Sequence, residues 1–196
     1  QARYIAPVAS DDNGISVAAT LSEAGNLTIG GALADGGSVT LTDARNVIIT
    51  SAGDDRGDTF TVTGTDEAGN AQTEAITGAN AGVATGTSYF TTITQIACSG
   101  ATTGNVEAGT GTAVAAQVTV NRVRLRGLQF VGNTTGGAVE VRTTGATGSI
   151  IYKFDANNVD DTVYPDIPDG GIVGSAGAYV VYTQTNLVSL TVFYEG

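Results

Sequence analysis

The chain has 196 residues, 41% of them hydrophobic and only 14% charged, with a formal net charge of −11. That length suffices for one large or two small β domains with their own cores, and the apolar content excludes a disordered chain. The acidic balance repels phosphate backbones and anionic lipid, and no apolar run approaches a membrane-spanning length, so neither nucleic acid nor membrane is expected as a partner.

Residues 1–14 read as an extended N-terminal arm, because Pro7 and the polar cluster Ser10–Gly14 oppose regular structure. The first residues lack a basic segment followed by an apolar core, so no secretory signal is expected. From Ile15 onward, short Thr/Val/Ala-rich runs recur between turn signals. Strands are predicted near 15–21, 26–29, 37–42, 45–51, 58–64, 71–77, 88–97 and 104–108. Branching at Cβ favours the pleated, half-buried surface of a sheet, and this spacing suits a sandwich or barrel. The best helix candidate, Thr20–Ala24, is cut off by Gly25. The small-residue stretch Gly109–Gln117 reads as a boundary, since such residues bend easily and pack weakly.

Beyond it, the alternation in Val118–Arg126 places Arg122, Arg124 and Arg126 on one face of a strand. Three arginines together in an acidic chain are either a solvated face paired with acidic neighbours or a contact surface for an acidic partner or adjacent subunit. Further strands are predicted near 137–143, 148–154, 178–184 and 187–194. In the last of these Val188, Leu190, Val192 and Tyr194 make one face fully apolar, and Leu187 and Phe193 make the other partly so. A strand of that kind is expected to be buried on both faces, centrally or against another subunit. The fold class is therefore all-β: two small antiparallel sandwich- or barrel-like modules, residues 15–115 and 116–196, preceded by the arm at 1–14.

Chemistry-bearing residues are few. With no histidine, Ser-His-Asp and Cys-His hydrolysis and nearly all zinc catalysis are removed. A carboxylate pair for glycoside hydrolysis would come from Asp54, Asp55, Asp58, Asp66, Glu67 and Glu74. Most of these fall in predicted turns, where acids cap and solvate, and the chain has no Trp to build a sugar platform. Asp155–Asp161 is the best candidate for a hard cation, but it lacks the glycine and downstream glutamate of a calcium loop and reads as a polar turn. Cys98, the single cysteine, reads as a buried, inert thiol. The tripeptide Arg56–Asp58 (RGD) and the acceptor patterns at Asn26 and Asn133 read as coincidences of composition. No catalytic residue, cofactor or metal is assigned, and the chain is not expected to be an enzyme.

Arg45–Gly53, Thr59–Asp66 and Gly69–Gly82, continued by Phe90–Thr94 and Ser99–Thr110, resemble a module of structural proteins of tailed bacteriophages, over roughly residues 14–112. Gly177–Tyr182 and Ser189–Tyr194 are similar to the last strands of phage head-decoration proteins. The resemblance implies a virion component made in the host cytoplasm. The position expected for it is the outer capsid surface, as a decoration (cement) protein. Its expected partners are the major capsid protein and copies of itself, as a homotrimer. A tail, adaptor or fibre component and a receptor- or glycan-binding adhesin are the alternatives. The candidate partner-binding residues are Tyr4, Ile5 and Val8 of the arm, Arg122, Arg124 and Arg126, and Val192, Phe193 and Tyr194 of the last strand.

Overall fold

A computed structural model describes residues 1–156 and 162–196. These residues form antiparallel β-strands and one short 3-10 turn, Gln184–Asn186, with no α-helix among them. In chain order the strands are β1 Ala2–Ile5, β2 Asp11–Ala19, β3 Gly25–Asn26, β4 Ala34–Asp35, β5 Ser38–Asp54, β6 Thr59–Thr65, β7 Ala71–Thr77, β8 Asn80–Thr85 and β9 Phe90–Cys98. They continue with β10 Val106–Thr119, β11 Val123–Gly132, β12 Gly137–Arg142, β13 Ile150–Ala156, β14 Thr162–Val163, β15 Ile172–Gly174, β16 Ala178–Thr183 and β17 Leu187–Glu195. The chain divides into two compact units, one of Ser10–Gly111 and one of Gln1–Ala9 with Thr112–Gly196.

In the Ser10–Gly111 unit, β9 lies between β5 and β6, β7 adds to β6, and β8 pairs with the second half of β5. The alternation of β6 explains its burial. Phe60, Val62 and Gly64 point inward, while Thr59, Thr61, Thr63 and Thr65 face the other way. In the β6–β7 register those threonines stand opposite Thr77, Ala75, Thr73 and Ala71. The outer face of this hairpin is thus short-chained, hydroxyl-rich and uncharged. Beneath it the core gathers Phe60, Phe90, Val39, Ile49, Ile93 and Ile96, all fully buried.

Two predicted strands, 37–42 and 45–51, are one: β5 runs unbroken from Ser38 to Asp54. Its segment Ala44–Ile49 is buried at every position, which is the behaviour of a strand covered on both faces. Arg45 lies in that stretch and donates to the Gly111 carbonyl at 2.5 Å. The stretch Gly109–Gln117, expected to be a boundary, contains the division between the two units after Gly111, but its chain is strand, the interior of β10. Its small residues serve close approach rather than bending. A β-carbon on Gly109 would collide with the Asp11 and Asp12 backbone of β2, and one on Gly111 would strike the Asn46 side chain.

The second unit is a two-sheet sandwich. One sheet has the order β1-β17-β11-β14, with β15 also on β11. The other contains β13-β12-β16 and the Ala113–Thr119 part of β10. Ile5, Leu128, Phe130, Leu190 and Val192 from the first meet Val139, Val141, Val180 and Tyr182 from the second in one core. The first sheet ends in β1 and β14, so it is open rather than a closed barrel.

The expected arm at 1–14 is not a separate element. Ala2–Ile5 is the edge strand β1, paired with β17, and Asp11–Gly14 opens β2. The polar cluster that argued against regular structure supports it locally, since the Asp11 carboxylate accepts from the Asn13 amide at 3.2 Å. Val118–Arg126 is likewise not one strand: β10 ends at Thr119, a turn spans 120–122, and β11 begins at Val123.

Candidate functional site

The outer face of the β1-β17-β11 sheet follows from period-two alternation and two registers. Ile5, Leu190 and Phe130 are directly opposite one another, as are Arg3, Val192 and Leu128, and these rows face the core. The intervening rows, Tyr4–Thr191–Gln129 and Ala2–Phe193–Gly127, face outward. Tyr4 is 61% exposed and Phe193 41%. They are diagonal neighbours on adjacent strands, within reach for aromatic side chains. Gln129 Nε2 donates to the Tyr164 hydroxyl at 2.9 Å, which adds a third exposed aromatic to this face. Val8, just past β1, is also exposed.

The arginines border this surface. The β11–β17 register shifts between Leu125 and Gly127, so Arg126 occupies a bulge. Its guanidinium reaches Glu195 at 3.2 Å and the Asp169 carbonyl at 3.3 Å. Arg124 donates to the Gly170 carbonyl. Both therefore hold the 169–170 backbone, and Arg126 also has an acidic neighbour, as the solvated-face reading required. Arg122 lies exposed in the turn before β11 and is not aligned with them on a strand.

The structure thus brings Tyr4, Phe193, Arg124 and Arg126 to one surface and removes others. Ile5 and Val192 are core residues, 1% and 0% exposed, and Tyr194 packs against the same core. The last strand is not sealed on both faces, because Val188 and Phe193 stay exposed. Tyr164 and Gln129 were missed. Tyr164 precedes Pro165 in an irregular segment with no alternation to read, and Gln129 is marked only by its place between Leu128 and Phe130.

Five of the six carboxylates considered for hydrolysis have the following partners. Asp54 forms a fork with Arg56, at 2.8 and 2.7 Å, and these hydrogen bonds hold its carboxyl down at about 2. Asp66 caps its turn through the amides of Ala68 and Asn70. Glu74 Oε1 accepts from the amides of Thr87 and Ser88 at 2.6 and 3.1 Å. Asp55 is fully buried and accepts from the Thr103 amide at 2.6 Å, while Asp58 accepts from Ser99 Oγ at 3.3 Å. Cys98 is buried as expected, its Sγ 3.4 Å from the Gly100 carbonyl. Burial pushes the thiol's pKa up, and the nearby Asp58 and Asp55 charges add to the effect. Of the Asp155–Asp161 candidate only Asp155, opposite Ala138 on β12, and Ala156 are among the described residues.

No protein-family model, curated protein or solved structure matches this chain.

Proposed function

We propose that the chain is a structural protein of a tailed-bacteriophage virion, a decoration protein that binds the outside of the capsid lattice. The observation that carries this reading is the exposed aromatic surface of Tyr4, Phe193 and Tyr164 on an otherwise well-packed sheet. Exposed aromatics held on rigid strands are the residues from which protein interfaces draw their central contacts. The net charge of −11 supports an outward position, away from packaged nucleic acid. The uncharged threonine face of β6 and β7 offers a second surface on which a neighbouring chain meets no charge repulsion. Single contacts of this size are weak, and a repeating lattice strengthens them through avidity.

The test is co-sedimentation of the purified protein with undecorated capsids of the encoding phage. The expected result is saturation at lattice stoichiometry, lost in the double variant Tyr4→Asp/Phe193→Asp with its far-UV spectrum unchanged. Absence of binding overturns the proposal. Recovery from virions only at the copy number of a single ring assigns the chain to a connector or tail instead.

A further inference from the structure

We propose that the turn Asp54–Asp58 and the loop Cys98–Thr103 hold a hard cation of the calcium class, with Asp55 as its buried ligand and Asp58 as the second carboxylate. Asp55 is 0% exposed. Its main chain is fully used: the amide donates to Ala79 O at 2.9 Å, and the carbonyl accepts from the Asp58 amide at 3.0 Å. One carboxylate oxygen, Oδ1, takes the Thr103 amide. The other, Oδ2, is buried and has no hydrogen-bond donor. Buried charges in proteins are paired or coordinate metals, because an isolated one forfeits its hydration. The cation nearest in sequence, Arg56, is turned away and committed to Asp54. A cation bound at Oδ2 would supply the missing partner.

The second carboxylate is placed by the same turn. The bond from the Asp58 amide to the Asp55 carbonyl closes four residues, which brings the Cα atoms of Asp55 and Asp58 within about 7 Å. Asp58 is tied to the facing loop through Ser99 Oγ. Gly100 lies directly beside it, since a β-carbon there would meet Asp58 Oδ1. Two carboxylates fit a hard cation of the calcium class, which completes its shell with neutral oxygens and water. No group of three or more His, Cys, Asp or Glu that could hold a metal ion occurs among the described residues, so a cation here would rest on these two carboxylates, with neutral oxygens and water supplying the rest of its shell.

The experiment uses the full chain, freed of metal with chelator. Thermal melts and isothermal titration calorimetry are run with calcium chloride, and with sodium chloride at matched ionic strength. Calcium is expected to bind one site per chain and to raise the melting temperature progressively, while sodium is not. Asp55→Asn should abolish both effects, and the exposed-strand control Asp12→Asn should keep them. Asp58→Asn, at a partly exposed position, gives a second reading if Asp55→Asn fails to fold, with loss of calcium binding expected. The proposal is overturned if the wild type shows no calcium heat and no shift, or if the response persists in Asp58→Asn and in a folded Asp55→Asn.

Discussion

Phe193 lies over Gly127, its register partner on the neighbouring strand. The Phe193 ring carbon Cδ2 is 3.5 Å from where a Gly127 β-carbon would stand. That is ordinary contact distance, and Gly127 is not among the positive-φ residues. Alanine therefore fits the backbone, touches the ring and removes unfolded-state freedom. Gly127→Ala is expected to stabilise by roughly 0.5 kcal/mol, read as a raised urea midpoint at unchanged slope.

Gly137 is the opposite case. It opens β12 with φ +144, and a β-carbon there would run into the Asn186 side-chain amide. Asn186 is buried, and its Nδ2 lies 3.5 Å from the Ala138 carbonyl, so it has little room to yield. Gly137→Ala should cost about 2 kcal/mol through strain and a displaced polar group. The same urea titration checks it, and a loss no larger than that of a surface substitution would count against the crowding.

Alternation in the sequence marks some of these elements and misses others. The strands of β6, β7, β9, β12 and β16 were legible because alternation and turn residues agree there. β5 was read as two strands because Asp43 interrupts an apolar pattern that tertiary burial carries through. Gly109 and Gly111 read as easily bending, weakly packing residues, since a glycine needed for close approach and one needed for a bend have the same letter. At the candidate surface, Tyr4 and Phe193 were found, but Ile5 and Val192 came with them. Adjacent residues on a strand face opposite ways, and only the register tells which way is out. Asp55 gave no sign of its burial, because it sits in a run of polar residues that otherwise reads as a solvated turn.

Glu140 on β12 makes a pH-dependent contribution. Its Oε2 receives Arg142 Nη2 at 2.5 Å and Nε at 2.9 Å, and Lys153 Nζ lies 3.4 Å from Oε1. Burial acts to raise the carboxyl, but the Arg142 hydrogen bonds and the two positive charges outweigh it and hold the group below its ordinary 4.5. A folded pKa below the unfolded one means stability that is present above the ordinary carboxylate range and is lost as pH falls through the depressed folded value. Glu140→Gln should cost about 1–3 kcal/mol at pH 7. The gap from wild type should close on acidification below that range. A gap independent of pH would indicate packing rather than charge.

The two units have cores with no residue in common, one centred on Phe60, Phe90 and Ile93 and the other on Phe130, Leu190 and Val192. Phe60 is 0% exposed and stands opposite Ile76 and Cys98 in its two registers, and Leu190 is equally buried between Ile5 and Phe130. Truncating a buried phenylalanine leaves a cavity the neighbours only partly fill, so Phe60→Ala should destabilise by about 3–5 kcal/mol, and Leu190→Ala by about 2–5 kcal/mol. The location of the loss is the sharper outcome. Amide hydrogen exchange should accelerate in β6 and β9 for the first variant and in β11 and β17 for the second. Each sheet's protection depends on the apolar side chains beneath it, and these belong to one cluster or the other. Equal acceleration throughout the chain in both variants would mean that the two cores unfold as one cooperative unit.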